Sequence, residues 1–410
     1  MKRRTFVKSA MALAAAGIPV VPTSALAEGE VTNEKTTEKS RVRSFRPLGK
    51  SGIQMSDISF GAGRLNSKSL VLRAIDRGMN YFDTAPDYGG SEDFIGEALK
   101  QVKGRDKIHI ASKYCQPIPF QAGKSHLQVG AKQADYVAAV ENSLKRMGTD
   151  YLDVVFVHAI GEKTDLAEEK ARLLDPEMLA ATESLKKAGK VRFLAVSSHG
   201  PNNMEPLMLE AVRSGHFDIL MMAFNFMKFP KIPDLFKEAK ARDIGVIAMK
   251  VLAGAKEQGI KFDPGQFEQA AFKWALQHAQ VSGLVTTIQS AQDLDLFLPA
   301  SGQAFNSTDQ RVLDHYAVLH GRNYCRTGCG DCLEACPDGV DVATILRYQM
   351  YFENYGDEKQ AMRAYSALEK SAASCGSCVD EACNQACPYG LAVGQKLQAA
   401  HRMLSLDLVA

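Results

Sequence analysis

The feature that most limits how this chain can fold is a rhythm. From Phe45 to about Ala300, short β-rich runs alternate with stretches of helical period. Eight runs read as strands: 58–61, 81–83, 108–112, 152–158, 193–197, 219–223, 246–250 and 284–288. Between them lie apolar stripes at spacings of three and four, such as Val137, Val140, Leu144 and Met147. Another stripe runs through Leu70, Ala74 and Ile75 and ends near Gly78. Strands alternating with helices imply parallel pairing through crossover connections. Eight such units over about 255 residues suit a closed (β/α)8 barrel, whose usual size is ~250 residues. An open doubly wound sheet would carry G-x-G-x-x-G after its first strand. Here Gly61 to Asn66 reads G-A-G-R-L-N, without the third glycine. The expected fold class is therefore α/β, a (β/α)8 TIM barrel over residues 43–300.

Beyond the barrel the composition changes. The chain has nine cysteines, and all but Cys115 fall between Cys325 and Cys387. They form C-x3-C-x2-C-x3-C-P (Cys325, Cys329, Cys332, Cys336) and C-x2-C-x4-C-x3-C-P (Cys375, Cys378, Cys383, Cys387). Tight groups of four do not suit a disulfide framework. Thiolates suit iron–sulfur clusters or zinc, and zinc knuckles usually lack the closing C-x3-C-P. Both runs resemble the bacterial ferredoxin motif C-x2-C-x2-C-x3-C-P, with one residue inserted in the first and two in the second. The resemblance implies two [4Fe–4S] clusters. In two-cluster ferredoxins the fourth cysteine serves the other cluster. That would group Cys325, Cys329, Cys332 and Cys387 against Cys336, Cys375, Cys378 and Cys383, with local wrapping of each motif as the alternative. Helical runs at 343–351 and 358–368 make residues 301–410 a small, mainly helical ferredoxin-like domain. Cys115, two residues past Lys113, reads as a small buried side chain.

The other end reads as an address. Arg3 and Arg4 open R-R-T-F-V-K, which resembles a twin-arginine export signal. The apolar stretch 9–21 is too short for a stable membrane span, and Ala25-Leu26-Ala27 offers a small-x-small cleavage site. Residues 1–27 are thus expected to be a signal peptide and 28–42 a polar linker. The resemblance implies passage through the twin-arginine translocase, already folded and loaded, to the periplasm or cell envelope. A formal net charge of +2 gives no concentrated basic face for nucleic acid.

Barrel chemistry sits where strands end. Asp83, Lys113 and His158 stand at three successive ends, and Tyr88 follows Asp83 by five residues. Singly each is ordinary, since Asp in D-T-A-P is a common turn former. Together they resemble the Asp, Tyr, Lys and His tetrad of the aldo/keto reductase family. L-G-K-S-G (48–52), I-S-F-G (58–61), Y-F-D-T-A-P-D-Y-G (81–89), A-V-S-S-H-G (195–200) and M-K-V-L-A-G (249–254) extend the likeness. It implies hydride transfer between a nicotinamide cofactor and a small carbonyl or alcohol. Tyr88 would be the general acid and base, with its pKa lowered by the Lys113 ammonium. Asp83 would fix Lys113, and His158 would orient the substrate oxygen.

The same resemblance assigns NADP or NAD to Ser197 and Ser198 at the carboxamide, and to Lys250, Leu252 and Gly254 at the pyrophosphate. Phe224 would stack on the ring, with Gln289 and Ser290 following the last strand. Two departures stand out. The family's Q-x-x-Y-N is Met221-Met222-Ala223-Phe224-Asn225 here, so the amide contact is lost. Residues 287–292 read T-I-Q-S-A-Q, without the glycine or basic residue often used for a 2′-phosphate. Three readings follow: a hydride-transfer enzyme whose clusters exchange electrons with a redox partner protein; an iron–sulfur electron-transfer subunit with a non-catalytic barrel; and a reductase with structural clusters. The intact tetrad favours the first or third. Hydride carries two electrons and a cluster one, a split that a flavin usually mediates; no flavin signature is present.

Overall fold

Strands buried on both faces need hydrogen-bonding partners on both edges, and closure into a barrel supplies them. The computed structural model describes residues 40–118, 124–200, 202–227, 232–253, 266–326 and 328–405. A short antiparallel hairpin comes first, β1 (Phe45–Pro47) and β2 (Gln54–Ser56). Eight parallel strands follow: β3 (Ile58–Gly61), β4 (Tyr81–Asp83), β5 (His109–Lys113), β6 (Leu152–Val157), β7 (Val191–Ser198), β8 (Ile219–Ala223), β9 (Gly245–Met249) and β10 (Gly283–Thr287). They pair in sequence order, and β10 returns to β3 from Leu284↔Ile58 to Thr287↔Gly61. The expected eight-stranded barrel is borne out, each strand lying within a residue or two of its sequence reading.

Alternation along each strand divides the core in two. Tyr81, Ala111, Val154, Phe156, Ala195 and Ile219 fill the interior. Phe82, Ile110, Val155, Leu194 and Leu220 point outward and pack with the helices. Burial on both faces is why Leu152–Val157 reads L-D-V-V-F-V, with no polar alternation. The hairpin was not evident from the sequence. It brings Leu48, Ile53 and Met55 into the interior cluster and so plugs the N-terminal end of the barrel. Glycine at 245 leaves room for this plug, since a Cβ there would sit 2.7 Å from Leu48 Cδ1.

The helix Ser307–His320 was expected with the cysteine-rich region, but it belongs to the outer layer of the barrel. Val312, Leu313 and Tyr316 join the outer core, and Tyr316 stacks on Phe267 at 4.5 Å. A separate core starts at Val340 and is built by the helices Val342–Glu353, Glu358–Ser366 and Val393–Leu404. The first two match the helical runs read from the sequence, and the third was not read. The described residues from Ser40 onward pack as one unit. The last residues of the expected linker are already tied to the barrel: Arg77 donates to Ser40 O at 2.8 Å, and Val42 N to Arg77 O at 2.8 Å. The expected signal peptide and linker residues 28–39 lie outside the described residues. Among the described residues no helix is long and apolar enough to cross a membrane.

One carboxylate ties three strands at the N-terminal end. Asp153 on β6 accepts from Ile110 N at 2.9 Å, from Arg192 at 2.8 Å and from Arg105 at 3.1 Å. Burial alone would raise its carboxyl, but His109, Arg105 and the Ile110 N–H outweigh burial and hold it below the usual value. A depressed folded-state pKa gives stability that is present above the unfolded value, about 3.9, and lost as pH falls through the folded value. Asp153→Ala is expected to cost about 1–3 kcal/mol at neutral pH, because it leaves the buried Ile110 N–H without its acceptor. Urea unfolding measures this, and the gap from the parent should narrow as pH drops below about 4. A gap that stays constant with pH contradicts the assignment.

Candidate active site

The C-terminal rim collects side chains that the sequence keeps far apart. Asp83 ends β4 and Lys113 ends β5, with register Asp83↔Ala111 between them. Lys113 Nζ donates to Asp83 Oδ1 at 2.7 Å and to Thr84 O at 2.7 Å, and both side chains are buried. Burial pushes the Asp83 carboxyl up and Lys113 draws it back. Removing one member of such a pair leaves an uncompensated buried charge, at a cost of roughly 3–5 kcal/mol. His158 follows β6, with its Nε2 3.5 Å from the Tyr88 hydroxyl. Burial, followed by the fields of His126 and Lys113, keeps its imidazole well below the ordinary histidine range. His158 is thus neutral at pH 7.

One expectation about Tyr88 needs correction. The Lys113 ammonium lies over the face of the Tyr88 ring, 4.8 Å from its centroid, and is held by Asp83 and Thr84. The phenol is not pulled down. Burial raises it well above its usual value, and the charges of Asp83 and Asp87 raise it further. Tyr88 therefore keeps its O–H at neutral pH.

All four residues line one cavity of about 440 Å³, within the range of ligand sites. Ser197, Lys250, Leu252 and Gln289 line it too. Three other expected cofactor contacts are turned elsewhere. Ser198 donates to Ile160 O at 2.6 Å, so its hydroxyl is engaged in the fold. Ser290 caps the helix Ala291–Phe297, accepting from Asp293 N at 3.2 Å. Phe224 points outward from the barrel and packs on Phe236, Trp274 and His278 with ring centroids 4.8–5.0 Å apart. The alternation that sends Met221 into the cavity sends Phe224 to the helices. Gly254 lies outside the described residues.

Part of the cavity wall comes from the cysteine-rich region. Tyr355 lines it, and Asp357 pairs with Arg64 at 2.5 Å. Lys250 Nζ sits 4.9 Å from the Tyr351 ring centroid and 4.7 Å from that of Tyr355. Burial, aided by Arg347 and Arg64 and opposed by Asp357, brings Lys250 down to about 7. Arg347 donates to His199 O on the barrel. Nothing in the sequence pattern announced this closure.

The eight clustered cysteines gather into two sets. Cys325, Cys329, Cys332 and Cys387 line one small cavity, and Cys336, Cys375, Cys378 and Cys383 line another. Each set takes one cysteine from the other motif, and all nine cysteines of the chain are free thiols. Burial pushes Cys325 and Cys332 up to about 12, and the facing thiols of their own set add to the rise.

Behind the tetrad lie three residues that sequence reasoning did not assign to the site. Cys115 Sγ is 3.0 Å from His158 Nδ1. The His126 ring stacks toward His158 with centroids 4.3 Å apart, and Asp87 Oδ2 lies 3.6 Å from His126 Nε2. An isolated bridge between Cys115 and His126 folds the loop after β5 back on itself. The place of Asp87 before Tyr88, and of Cys115 two residues past Lys113, was a usable signal. No periodicity marks His126.

The family model described as "Aldo/keto reductase family" matches residues 58–263. The chain is 28% identical over 261 residues to an L-galactose dehydrogenase of Arabidopsis thaliana, covering 58% of this chain and 76% of that protein. It is 28% identical over 319 residues to a 6-dehydroglucose reductase of Novosphingobium aromaticivorans, covering 67% and 94% respectively. Further curated relatives are matched over about half of their own length. Among solved structures, an aldo-keto reductase from Pseudomonas aeruginosa aligns with a TM-score of 0.53 at 25% identity, over 66% of this chain and 99% of that one.

The outward position of Phe224 can be checked directly. Phe224→Leu should cost about 1–2 kcal/mol of stability through lost aromatic packing. Affinity for NADPH or NADH added as a probe, read by fluorescence titration, should stay within about twofold. A large loss of affinity without loss of stability would return Phe224 to the cofactor.

Proposed function

The chain belongs to the aldo/keto reductase family, and from that premise we propose that its barrel is an oxidoreductase moving hydride between a nicotinamide dinucleotide and a small carbonyl or alcohol. The observation that carries this reading is the single cavity shared by Asp83, Tyr88, Lys113 and His158. Ser197, Leu252 and Gln289 give that cavity polar and apolar contacts, and Lys250 gives it a half-buried amine that a phosphate would keep charged. These residues would hold the dinucleotide, which supplies hydride when bound.

The proton side of the reaction falls to this chain's own groups. Reduction places negative charge on the substrate oxygen, and catalysis needs a donor aimed at that atom. The Tyr88 O–H is that donor, kept protonated by its burial and its acidic neighbours. Neutral His158 offers Nε2 to the same oxygen, since its separation from the Tyr88 hydroxyl leaves room for an atom bonded to both. Lys113 stabilises the phenolate left behind, acting through the face of the ring. Asp83 fixes Lys113, and Tyr355 forms part of the wall of the same cavity.

For the cysteine-rich region we propose two [4Fe–4S] clusters. The donor set fits them: two separate groups of four free thiols, each drawn from both motifs. Such clusters supply one-electron transfer when present, and a one-electron redox partner protein is the exchange they would serve. Arg3 and Arg4, with the apolar stretch behind them, support export of the folded protein by the twin-arginine translocase to the cell envelope.

Tyr88→Phe should lower turnover by roughly 10²–10⁴-fold while nucleotide affinity changes little. Steady-state kinetics beside a binding titration make that comparison, and unimpaired turnover would remove Tyr88 from its role. Anaerobically purified protein should contain about eight iron and eight sulfide per chain. Cys387→Ala should cost about half of both, because it opens one group of four. Iron near zero in the parent would rule the clusters out.

A further inference from the structure

Three buried side chains behind the tetrad, together with the inner nitrogen of His158, converge on a point that neither the proton step nor the cysteine-rich region uses. Asp87, Cys115, His126 and His158 each direct one donor atom there, and all four donors lie within 4.8 Å of one another. We propose that they form a mononuclear zinc site, with Asp87 Oδ2, Cys115 Sγ, His126 Nε2 and His158 Nδ1 as ligands.

The donor distances scatter on both sides of those around a bound ion, and small side-chain shifts would bring them to one centre. Zinc binds nitrogen and oxygen at about 2.0–2.2 Å and sulfur at about 2.3 Å, so tetrahedral donors stand roughly 3.2–3.8 Å apart. Here Cys115 Sγ to His158 Nδ1 is 3.0 Å, Asp87 Oδ2 to His126 Nε2 is 3.6 Å, and Asp87 Oδ2 to His158 Nδ1 is 4.0 Å. The separation between Asp87 and His126 is long for a hydrogen bond and natural for two ligands of one metal. Neither Asp87 carboxylate oxygen has a hydrogen-bond partner among the described residues, although the side chain is fully buried. A buried carboxylate in that state is costly unless it is paired or bound to a metal.

The surroundings agree. Glu162 Oε2 lies 3.2 Å from His126 Nδ1, on the far side of the ring from the proposed ion. A carboxylate on the second nitrogen is the usual outer partner of a zinc-bound histidine. One thiolate and one carboxylate would neutralise the ion, and binding would release the Cys115 proton. Sulfur, nitrogen and oxygen donors in a closed group of four suit zinc rather than magnesium or calcium. With four protein ligands the ion has no open position, so its role is structural.

It would also act on His158. Metal on Nδ1 leaves Nε2 to carry the ring hydrogen, so the nitrogen facing Tyr88 becomes a fixed donor toward the substrate oxygen. That consequence rests on the hydride-transfer reading; the site itself does not. The alternative on the same geometry is His126 held as an imidazolium between Asp87 and Glu162, with no metal.

The test uses full-length protein expressed with zinc available, dialysed, and read by elemental analysis and zinc-edge X-ray absorption. The zinc edge is separate from the iron of any cluster. The expected result is about one zinc per chain with a single sulfur in its shell, the remainder nitrogen and oxygen. Cys115→Ser and His126→Ala should each lower zinc at least fivefold, with iron content and circular dichroism unchanged. Zinc well below one per chain, or a shell of four sulfurs, would overturn the proposal, and the parent spectrum alone decides this if a variant fails to fold. Turnover is not part of the readout, so failure here leaves the Tyr88 assignment standing, and failure of that assignment leaves the zinc result standing.

Discussion

Everything at the rim depends on the barrel closing. Once β10 pairs with β3, the eight strand ends hold fixed neighbours, and Asp83, Lys113 and His158 project into one space. The Asp83–Lys113 pair is supported by Thr84 O, the carbonyl next to Asp83, as a second acceptor for the ammonium. A charge pair in this setting positions more than it stabilises, since desolvation cancels much of the attraction. Its value lies in holding an ammonium over one face of Tyr88.

The cysteine-rich region alters the electrostatics of the barrel it rests on. By placing Tyr351 and Tyr355 against Lys250, and Asp357 against Arg64, it partly covers two basic side chains at the cavity wall. Aromatic faces partly replace the water these cations lose. The region is thus mechanically part of the site, whatever its thiols carry.

The sequence made the fold legible because its strongest signals were local. Apolar runs, helical stripes and their order were enough for eight strands and the barrel. The tetrad was legible because strand ends are easy to locate. What failed were statements about direction. Phe224 was assigned to the nicotinamide, but the alternation set by β8 turns it outward among Phe236 and Trp274. The hydrogen bonds of Ser198 to Ile160 O and of Ser290 from Asp293 N were equally out of reach of a reading along the chain. The hairpin was missed because strands of three residues leave almost no periodicity to read.

Two matters divide the chain's information. Its sequence alone determined which segments become strands and helices, that the strands run parallel, and which residues stand at the ends of β4, β5 and β6, because each follows from local period and chain order. Only the tertiary structure decided the upward direction of the Tyr88 shift, the choice of crossed cysteine grouping over local wrapping, the aromatic wall over Lys250 and the convergence of Asp87, Cys115 and His126 on His158. The reason is physical: burial and electric fields depend on what packs nearby in space, and no local pattern along the chain encodes distance across a closed barrel.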